Sequence, residues 1–205
     1  MVKKPDSAAG SLLELVMIVA VALGLALGIQ KFLIKPYRIP SESMVPTLEV
    51  GQRVLVNRIG HRFGDPKVGD IVVFHPPAGA ETDTCGDRNR PENAACDTPT
   101  RAEASVNFIK RVVAGPGDTI RIIDGHVIRN GKREHDPYID NTCAHNANRG
   151  CTLSTPITIP PDHWFMMGDN RGESDDSRFW GPVPDKFIIG EAFATYWPPN
   201  RIGLL

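Results

Sequence analysis

Apolar residues fall into one long run near the start of the chain and a series of short runs after it. The long run covers 12–34 and is interrupted by Glu14 near one end and by Gln30 and Lys31 near the other. With its polar ends it reaches about twenty residues, which is enough to span a bilayer as a helix. The pattern therefore predicts a transmembrane helix over 12–34, preceded by a short tail over 1–11.

The same run also fits a cleaved signal peptide, because basic residues precede it and the small pair Ala26-x-Gly28 lies near its end. We favour a retained anchor. The segment from Tyr37 to Leu48 follows the run directly and carries candidate catalytic residues that cleavage would leave at a new terminus. Lysine and arginine flank both ends of the run, so the positive-inside rule does not orient it.

The remaining apolar runs are short and rich in β-branched residues, as is typical of strands. They lie at 53–57, 70–74, 106–114, 119–123, 126–129 and 187–190. Asp124-Gly125 and Asn130-Gly131 predict tight hairpin turns between such runs. The sequence thus predicts a mainly β protein, in which an antiparallel β-sheet body over 35–205 follows the transmembrane helix. Two polar stretches, 78–104 and 134–156, are expected to be long loops or insertions.

Lys110 interrupts this pattern, because it lies on the same predicted face as Phe108, Val112 and Ala114. Alternation along a strand therefore predicts a buried ammonium group. Burial favours the neutral form of lysine and can turn it into a proton acceptor at neutral pH. The alternative is an ordinary lysine that reaches solvent, and the neighbouring Arg111 supports it by showing that the segment tolerates charge.

Composition limits the classes of function. The chain has 205 residues, 19 glycines and 18 prolines, which suits one loop-rich domain. Its 23 basic and 24 acidic residues give a formal net charge of -1. Since no long basic block with interleaved aromatic residues occurs, nucleic acid is not an expected partner.

The four cysteines form two local pairs in polar stretches, Cys85 with Cys96 and Cys143 with Cys151. Local disulfides are the favoured interpretation, and such bonds persist in an oxidising compartment outside the cytoplasm. Four cysteines allow three pairings, among which the sequence does not choose. A zinc site at Cys143, His145 and Cys151 is the alternative, although no Cys-x-x-Cys spacing supports it.

Two further segments carry hydroxyl groups. Ser41 and Ser43 lie in an extended segment bounded by Pro40 and Pro46, directly after the predicted anchor. A serine nucleophile needs a base, and a neutral lysine can supply one without histidine or aspartate. The other segment, 168–181, is dense in short polar residues and is otherwise interpreted as a solvated acidic loop.

Together these blocks resemble the bacterial type I signal peptidases, which are membrane-anchored serine-lysine proteases. The matching blocks follow the anchor in order: Ser41-x-Ser43-Met44-x-Pro46-Thr47, Lys110-Arg111-Val112-Val113 with Pro116-Gly117-Asp118, and Gly168-Asp169-Asn170-Arg171-x-x-Ser174-x-Asp176-Ser177-Arg178. The resemblance covers nearly the whole chain. In eukaryotic-type relatives a histidine stands where Lys110 stands here, so the resemblance implies the bacterial chemistry.

The resemblance assigns a role to each matched residue. It implies that Ser43 is the nucleophile, Lys110 the general base and Ser174 the hydroxyl that orients the lysine. It implies that Ser41 and the N–H of Ser43 form the oxyanion hole. Residues that hold the loop around the lysine are expected to be Asp169, Arg171, Asp176 and Arg178. Expected lining residues of the substrate pocket are Ile39, Met44, Leu48 and Ile109.

The activity implied is removal of signal peptides from exported preproteins, after small residues at the first and third positions before the cut. No metal and no cofactor is required. The lipid bilayer is an expected partner, and the resemblance also allows the secretion machinery. The expected location is the cell membrane, with a single span and the catalytic body outside the cytoplasm. Alternatives are a serine-lysine protease that cleaves itself or one dedicated substrate, and a tethered binding module without catalysis.

Overall fold

The computed structural model describes residues 8–58, 64–140, 143 and 150–205. A long helix precedes a body of short antiparallel strands. The α-helices among these residues are α1 (Ala8–Phe32) and α2 (Ser177–Trp180). The strands are β1 (Ile34–Arg38), β2 (Arg53–Asn57), β3 (Ile71–Phe74), β4 (Phe108–Ala114), β5 (Thr119–Ile123), β6 (His126–Arg129), β7 (Lys132–Arg133), β8 (Leu153–Thr158), β9 (His163–Met167), β10 (Val183–Pro184), β11 (Ile188–Trp197) and β12 (Gly203–Leu204). The mainly β fold predicted from the sequence is confirmed.

The first helix covers most of the predicted anchor but starts earlier, at Ala8, where Ala8 and Ala9 have high helix propensity. It ends at Phe32, and Ile34 already belongs to β1. Among the residues that the structure describes, no helix combines the length and the apolar character needed to cross a bilayer. The membrane span over 12–34, with the tail over 1–11, stays a prediction.

The described residues of the body form two antiparallel sheets. The larger sheet has the order β1-β2-β11-β3-β4-β9-β10, with β12 paired to β11. The smaller sheet has the order β7-β6-β5-β8. Its hairpins turn at the predicted positions, where Asp124 and Asn130 have positive φ and each precedes a glycine with positive φ. Such left-handed pairs match the twist of the flanking strands.

β4 lies near the middle of the larger sheet, between β3 and β9, and six of its seven residues are buried. Its two faces contact different apolar clusters: Val112 packs with Phe74 and Trp180, whereas Val113 packs with Ile120. This strand is therefore buried on both faces. A charged side chain on it can be accommodated only if a local partner or a cleft receives it.

Both predicted insertions carry their predicted disulfides. Cys85 is bonded to Cys96 and Cys143 is bonded to Cys151. The zinc alternative does not hold in this structure, because the bond between Cys143 and Cys151 takes both of its thiols. His145 lies outside the described residues.

Candidate active site

Lys110 is buried in the larger sheet, as alternation predicted. It lies opposite Val72 of β3 and is 5% exposed, with Nζ 5.9 Å from the ring centre of Phe108. This burial lowers the pKa of Lys110 from 10.5 to about 8. The charge of Asp176 acts in the opposite direction, and that of Arg178 adds to the lowering. A substantial fraction of Lys110 is therefore neutral at mildly alkaline pH.

Ser43 lies in a single turn of 3-10 helix, Glu42–Met44, that begins just after Ser41. The side-chain oxygens of Ser41 and Ser43 are 3.3 Å apart. Asn170, in the block that begins at Gly168, holds this turn in place. Its N–H donates to the Ser43 carbonyl at 3.1 Å, and its side-chain amide donates to the Glu42 carbonyl at 3.3 Å. Two segments more than a hundred residues apart in the chain are thus joined at the serine.

Ser43 and Lys110 face one cleft of about 320 Å³. Its lining residues are Pro40, Ser41, Glu42, Ser43, Asn107, Phe108, Ile109, Lys110, Glu173 and Asp175. Among the described residues no hydrogen bond joins Lys110 Nζ to Ser43 Oγ. Catalytic hydrogen bonds are often long without substrate and tighten only in the reacting complex. Ser174 is 4% exposed, and its hydroxyl has no hydrogen-bond partner within the described part of the chain.

The loop 168–178 is held by Asp176 and Arg178, both fully buried. Arg178 donates to both carboxylate oxygens, with Nε at 2.7 Å from Oδ1 and a terminal nitrogen at 2.8 Å from Oδ2. That same terminal nitrogen donates to the Ser174 carbonyl, while Asp176 accepts from the N–H of Gly168. Burial by itself raises the pKa of Asp176, but the charge and hydrogen bonds of Arg178 lower it below its ordinary value. The loop therefore keeps a charged carboxylate near the lysine.

A second buried ion pair joins Arg111 to Asp169. Arg111 donates from Nε at 2.8 Å and from a terminal nitrogen at 2.6 Å, so the pair is bidentate. Thr47 donates its hydroxyl to the same carboxylate at 2.6 Å, and the guanidinium stacks 3.9 Å from the ring centre of Tyr138. Arg111 is thus a buried partner of the third block, so its charge gives no support to the alternative in which Lys110 reaches solvent.

Arg171, the remaining predicted loop residue, is 1% exposed. It donates to the Gly168 carbonyl at 2.9 Å and to the Gly125 carbonyl, and lies 3.7 Å from the Asp136 carboxylate. It therefore ties the site loop to the hairpin of the smaller sheet. Sequence reasoning identified Arg171 from the resemblance, but nothing in its spacing pointed to Asp136.

Both disulfide-bonded segments contact Arg178. The N–H of Cys96 and the side chain of Arg90 donate to the Arg178 carbonyl, at 3.0 and 2.9 Å. The Arg178 guanidinium in turn donates to the carbonyl of Gly150, next to Cys151. The two segments therefore contact and stabilise the Arg178 end of the loop that carries Ser174.

The four predicted pocket residues separate into two pairs. Ile39 and Ile109 line a smaller cleft of about 190 Å³ that adjoins the Ser43 cleft. Met44 and Leu48 are fully buried and pack into the apolar cluster beneath it. The N–H of Leu48 donates to the Met44 carbonyl at 2.8 Å, and this turn directs both side chains into the interior.

Gly168 is packed where no side chain fits. A Cβ there would lie closer than 3.0 Å to Ser174 Oγ and to the Ser43 carbonyl oxygen. We expect Gly168→Ala to destabilise the fold by about 1–3 kcal/mol, as overpacking does, and to lower activity by displacing both serines. Denaturant unfolding and initial cleavage rates would measure this. Gly64→Ala is the matched control, because no atom lies within 4 Å of its added Cβ; equal unfolding midpoints for the two variants would contradict the prediction.

Comparison with known proteins identifies the class to which this chain belongs. The family model described as "Signal peptidase, peptidase S26" matches residues 12–197. This chain therefore belongs to the signal peptidase family S26, and it is a serine endopeptidase, a hydrolase. This confirms the resemblance and sets aside the alternative of a binding module.

Two relatives of known sequence agree with that membership. A signal peptidase I from Leptolyngbya laminosa is 39% identical over 194 residues, which are 95% of this chain and 84% of the relative. A probable signal peptidase I-2 from Synechocystis sp. is 36% identical over 203 residues, which are 99% of this chain and 81% of the relative. A solved structure of a signal peptidase I from Enterococcus faecalis V583 is 22% identical, with a TM-score of 0.38, and the match covers 62% of this chain and 97% of that chain.

Proposed function

We propose that this chain removes signal peptides from exported preproteins with Ser43 as the nucleophile and Lys110 as the general base. The observation that carries the proposal is that a buried lysine with a lowered pKa lines the same cleft as Ser43. Lysine serves as a base only when neutral, and burial makes its neutral form accessible. Ser41 and Ser174 match the family motif, which supports a role for Ser41 in the oxyanion hole and for Ser174 in orienting Lys110.

Acylation begins when neutral Lys110 takes the hydroxyl proton of Ser43 as the serine oxygen attacks the peptide carbonyl carbon. The developing oxyanion accepts hydrogen bonds from the Ser41 hydroxyl and from the N–H of Ser43. The 3.3 Å distance between the two hydroxyl oxygens supports this use of Ser41. Lys110, now an ammonium group, protonates the leaving amine, and an ester on Ser43 remains.

Deacylation uses the same groups. Lys110, neutral again, takes a proton from a water molecule, whose oxygen attacks the ester carbonyl, and the proton then returns to the Ser43 oxygen. The side chain of Lys110 must keep the same orientation through both steps. The buried hydroxyl of Ser174 is the group proposed to accept a hydrogen bond from Nζ, and the ion pair of Asp176 with Arg178 holds the Ser174 backbone.

Small side chains before the cut suit the adjoining cleft, which is only about 190 Å³ in volume. Ile39, Val73 and Ile109 give it apolar walls, so short apolar side chains are favoured and bulky ones are excluded. This supports a preference for alanine-like residues at the first and third positions before the cut.

The first helix is proposed to anchor the enzyme in the membrane. The apolar side chains described between Leu12 and Leu27 are exposed, including Leu12 at 63% and Leu27 at 64%, and such a surface needs an apolar environment. The two disulfides support a body outside the cytoplasm, with the tail inside. Anchoring would bring the cleft close to the signal sequence of a membrane-inserted preprotein delivered by the secretion machinery.

Cleavage of a defined preprotein tests this function. Detergent-solubilised full chain is incubated with a preprotein whose signal ends in Ala-x-Ala and with a matched one that carries Phe before the cut. We expect cleavage directly after the last alanine in the first substrate only, as read by mass spectrometry of the products. Cleavage of the enzyme itself, with both preproteins left intact, would instead favour the self-processing alternative.

The pH dependence of cleavage follows from the pKa of Lys110. Since the reactive form is neutral and the pKa is about 8, kcat/KM should fall about tenfold per pH unit below pH 8 and stay level above it. Carboxylates of Asp176, Asp175 and Asp169 raise this pKa against the effect of burial. Asp175→Asn should therefore move the midpoint to lower pH. A rate that stays level down to about pH 5 would exclude a lysine base.

A further inference from the structure

The peptide group that joins Glu42 to Ser43 carries the backbone donor of the proposed oxyanion hole, the N–H of Ser43. Ser43 lies in the 3-10 turn Glu42–Met44, and N–H groups at the start of a helix have no partner within it. No hydrogen bond donated by this N–H is found among the described residues. The N–H of Ser43 is therefore available to a substrate oxygen.

The carbonyl at the other end of the same peptide group accepts two hydrogen bonds. The side-chain amide of Asn170 donates to the Glu42 carbonyl at 3.3 Å, and the N–H of Val45 donates to it at 3.0 Å. A peptide group is planar, so a bond that fixes its carbonyl also fixes the direction of its N–H. Hydrogen bonds in a chain also polarise one another, so a donor at the carbonyl makes the N–H a stronger donor. Asn170 thus affects both the direction and the strength of the Ser43 N–H.

Asn170 is itself held in a fixed position. It is 5% exposed, and its backbone N–H donates to the Ser43 carbonyl at 3.1 Å. The Asp169 carbonyl, which belongs to the same peptide group as that N–H, accepts from the N–H of Asp140 at 3.0 Å. Asn170 therefore binds two consecutive carbonyls, those of Glu42 and Ser43, before any substrate arrives. Groups that are fixed in advance are the ones that stabilise a developing oxyanion effectively.

We propose that Asn170 is a positioning residue for the oxyanion hole, which it serves through the peptide group between Glu42 and Ser43. This rests on the proposed function, in which the N–H of Ser43 binds the oxyanion. Negative charge develops on that oxygen only as the serine attacks, so the contribution of Asn170 appears in kcat and not in KM. Lys110 is not part of this chain of hydrogen bonds, so the pH dependence of cleavage does not involve Asn170.

Kinetics of Asn170→Ala test this inference, because the variant loses the side-chain donor and keeps the backbone N–H that donates to Ser43. With an Ala-x-Ala peptide on the alkaline plateau, kcat should fall at least about tenfold, which is less than the roughly 10²–10³-fold loss on removing an oxyanion donor itself. KM should stay unchanged, and the midpoint of the pH profile should stay at about 8. The Glu42 carbonyl keeps its bond from Val45, so the fold should persist, and urea unfolding measures the folded fraction to which each rate is normalised.

A pair of inhibitors separates this role from a general displacement of the loop. In a peptide aldehyde that ends in Ala-x-Ala, the Ser43 oxygen bonds to the aldehyde carbon, the serine proton passes to Lys110, and the former carbonyl oxygen becomes an oxyanion in the hole. The matched peptide alcohol cannot add to the serine. Asn170→Ala should raise the inhibition constant of the aldehyde at least about fivefold and leave that of the alcohol unchanged. Equal changes for both inhibitors would overturn the inference.

Two further variants complete the test. Asn93→Ala is the matched control, because the side-chain amide of Asn93 also donates at 3.3 Å, to the exposed Ser154 hydroxyl, and this variant should keep the wild-type kcat. Asn170→Asp keeps the shape of the side chain but cannot donate when ionised, so it should also lose activity. A wild-type kcat in either Asn170 variant would overturn the inference and leave the proposed function intact. If wild type does not cut the peptide, or if Ser43→Ala cuts it equally fast, the proposed function fails and this inference fails with it.

Discussion

Replacing Lys110 with methionine should abolish cleavage and, at the same time, make the folded protein more stable at neutral pH. The loss of activity follows from the loss of the base, and we expect kcat/KM to fall at least about 10⁴-fold, as when a member of a catalytic triad is removed. The gain in stability follows from burial. A pKa lowered from 10.5 to about 8 means that the fold disfavours the charged lysine by roughly 3 kcal/mol.

The stability gain has a defined pH window. The pKa of Lys110 in the folded state lies below its value of 10.5 in the unfolded state, so between about pH 8 and 10.5 the unfolded state binds more protons. Wild type therefore gains stability as pH rises through this window and loses it as pH falls. The advantage of Lys110→Met should be full below about pH 8 and vanish above about 10.5. Urea unfolding at pH 7 and pH 10.5 measures both limits.

Two further variants separate catalysis from stability. Ser43→Ala should lose activity to a similar extent but gain no comparable stability, because it removes no buried charge. Lys132→Met changes an exposed lysine of β7 and should alter neither quantity. If Lys110→Met kept its cleavage rate, Lys110 would not be the base. If Lys110→Met unfolded more easily than wild type at pH 7, burial of the charged lysine would not destabilise the fold.

Lys110 illustrates what the alternation of a strand can and cannot predict. Its burial followed correctly from its apolar neighbours at alternate positions. Arg111, interpreted from the sequence only as a sign that the segment tolerates charge, is buried as well, because β4 is central and both of its faces are covered. In a strand buried on both faces, alternation carries no information about exposure. A charged residue there is explained only by its partner, and Asp169 lies 58 positions away in the chain.

The strands missed by the sequence analysis have local reasons. β1 contains Pro36, which argues against a strand except at a sheet edge, and β1 is the edge strand of the larger sheet. β9 is His163–Met167, and its last four residues form an apolar run without alternation because all four are buried. Met44 belongs to the first motif and Leu48 directly follows it, but the turn that joins them directs both side chains inward. Of the four residues expected in the pocket, Ile39 and Ile109 line the adjoining cleft, and the substrate pocket itself stays a prediction.

Removal of the Asp169 carboxylate should be among the most destabilising single changes in this protein. The pair with Arg111 is bidentate and almost fully shielded from solvent, with side-chain exposures of 0% for Asp169 and 11% for Arg111. Asp169→Ala leaves a buried guanidinium without its counter-ion and leaves the Thr47 hydroxyl without its acceptor. Breaking such a pair from one side costs about 3–5 kcal/mol, because the remaining charge stays buried. Urea unfolding of the detergent-solubilised chain would measure the loss.

The ion pair between Arg201 and Glu49 provides the matched control. Its charged groups are 3.0 Å apart, but the side chains are 32% and 57% exposed, so water screens the interaction. Glu49→Ala should therefore cost less than about 1 kcal/mol. The contrast isolates burial as the cause, since both variants remove one carboxylate that pairs with arginine. If Asp169→Ala cost no more than Glu49→Ala, the Arg111 pair would not hold the third block against β4, and the position of the Ser174 loop would have to depend on Asp176 and Arg178 alone.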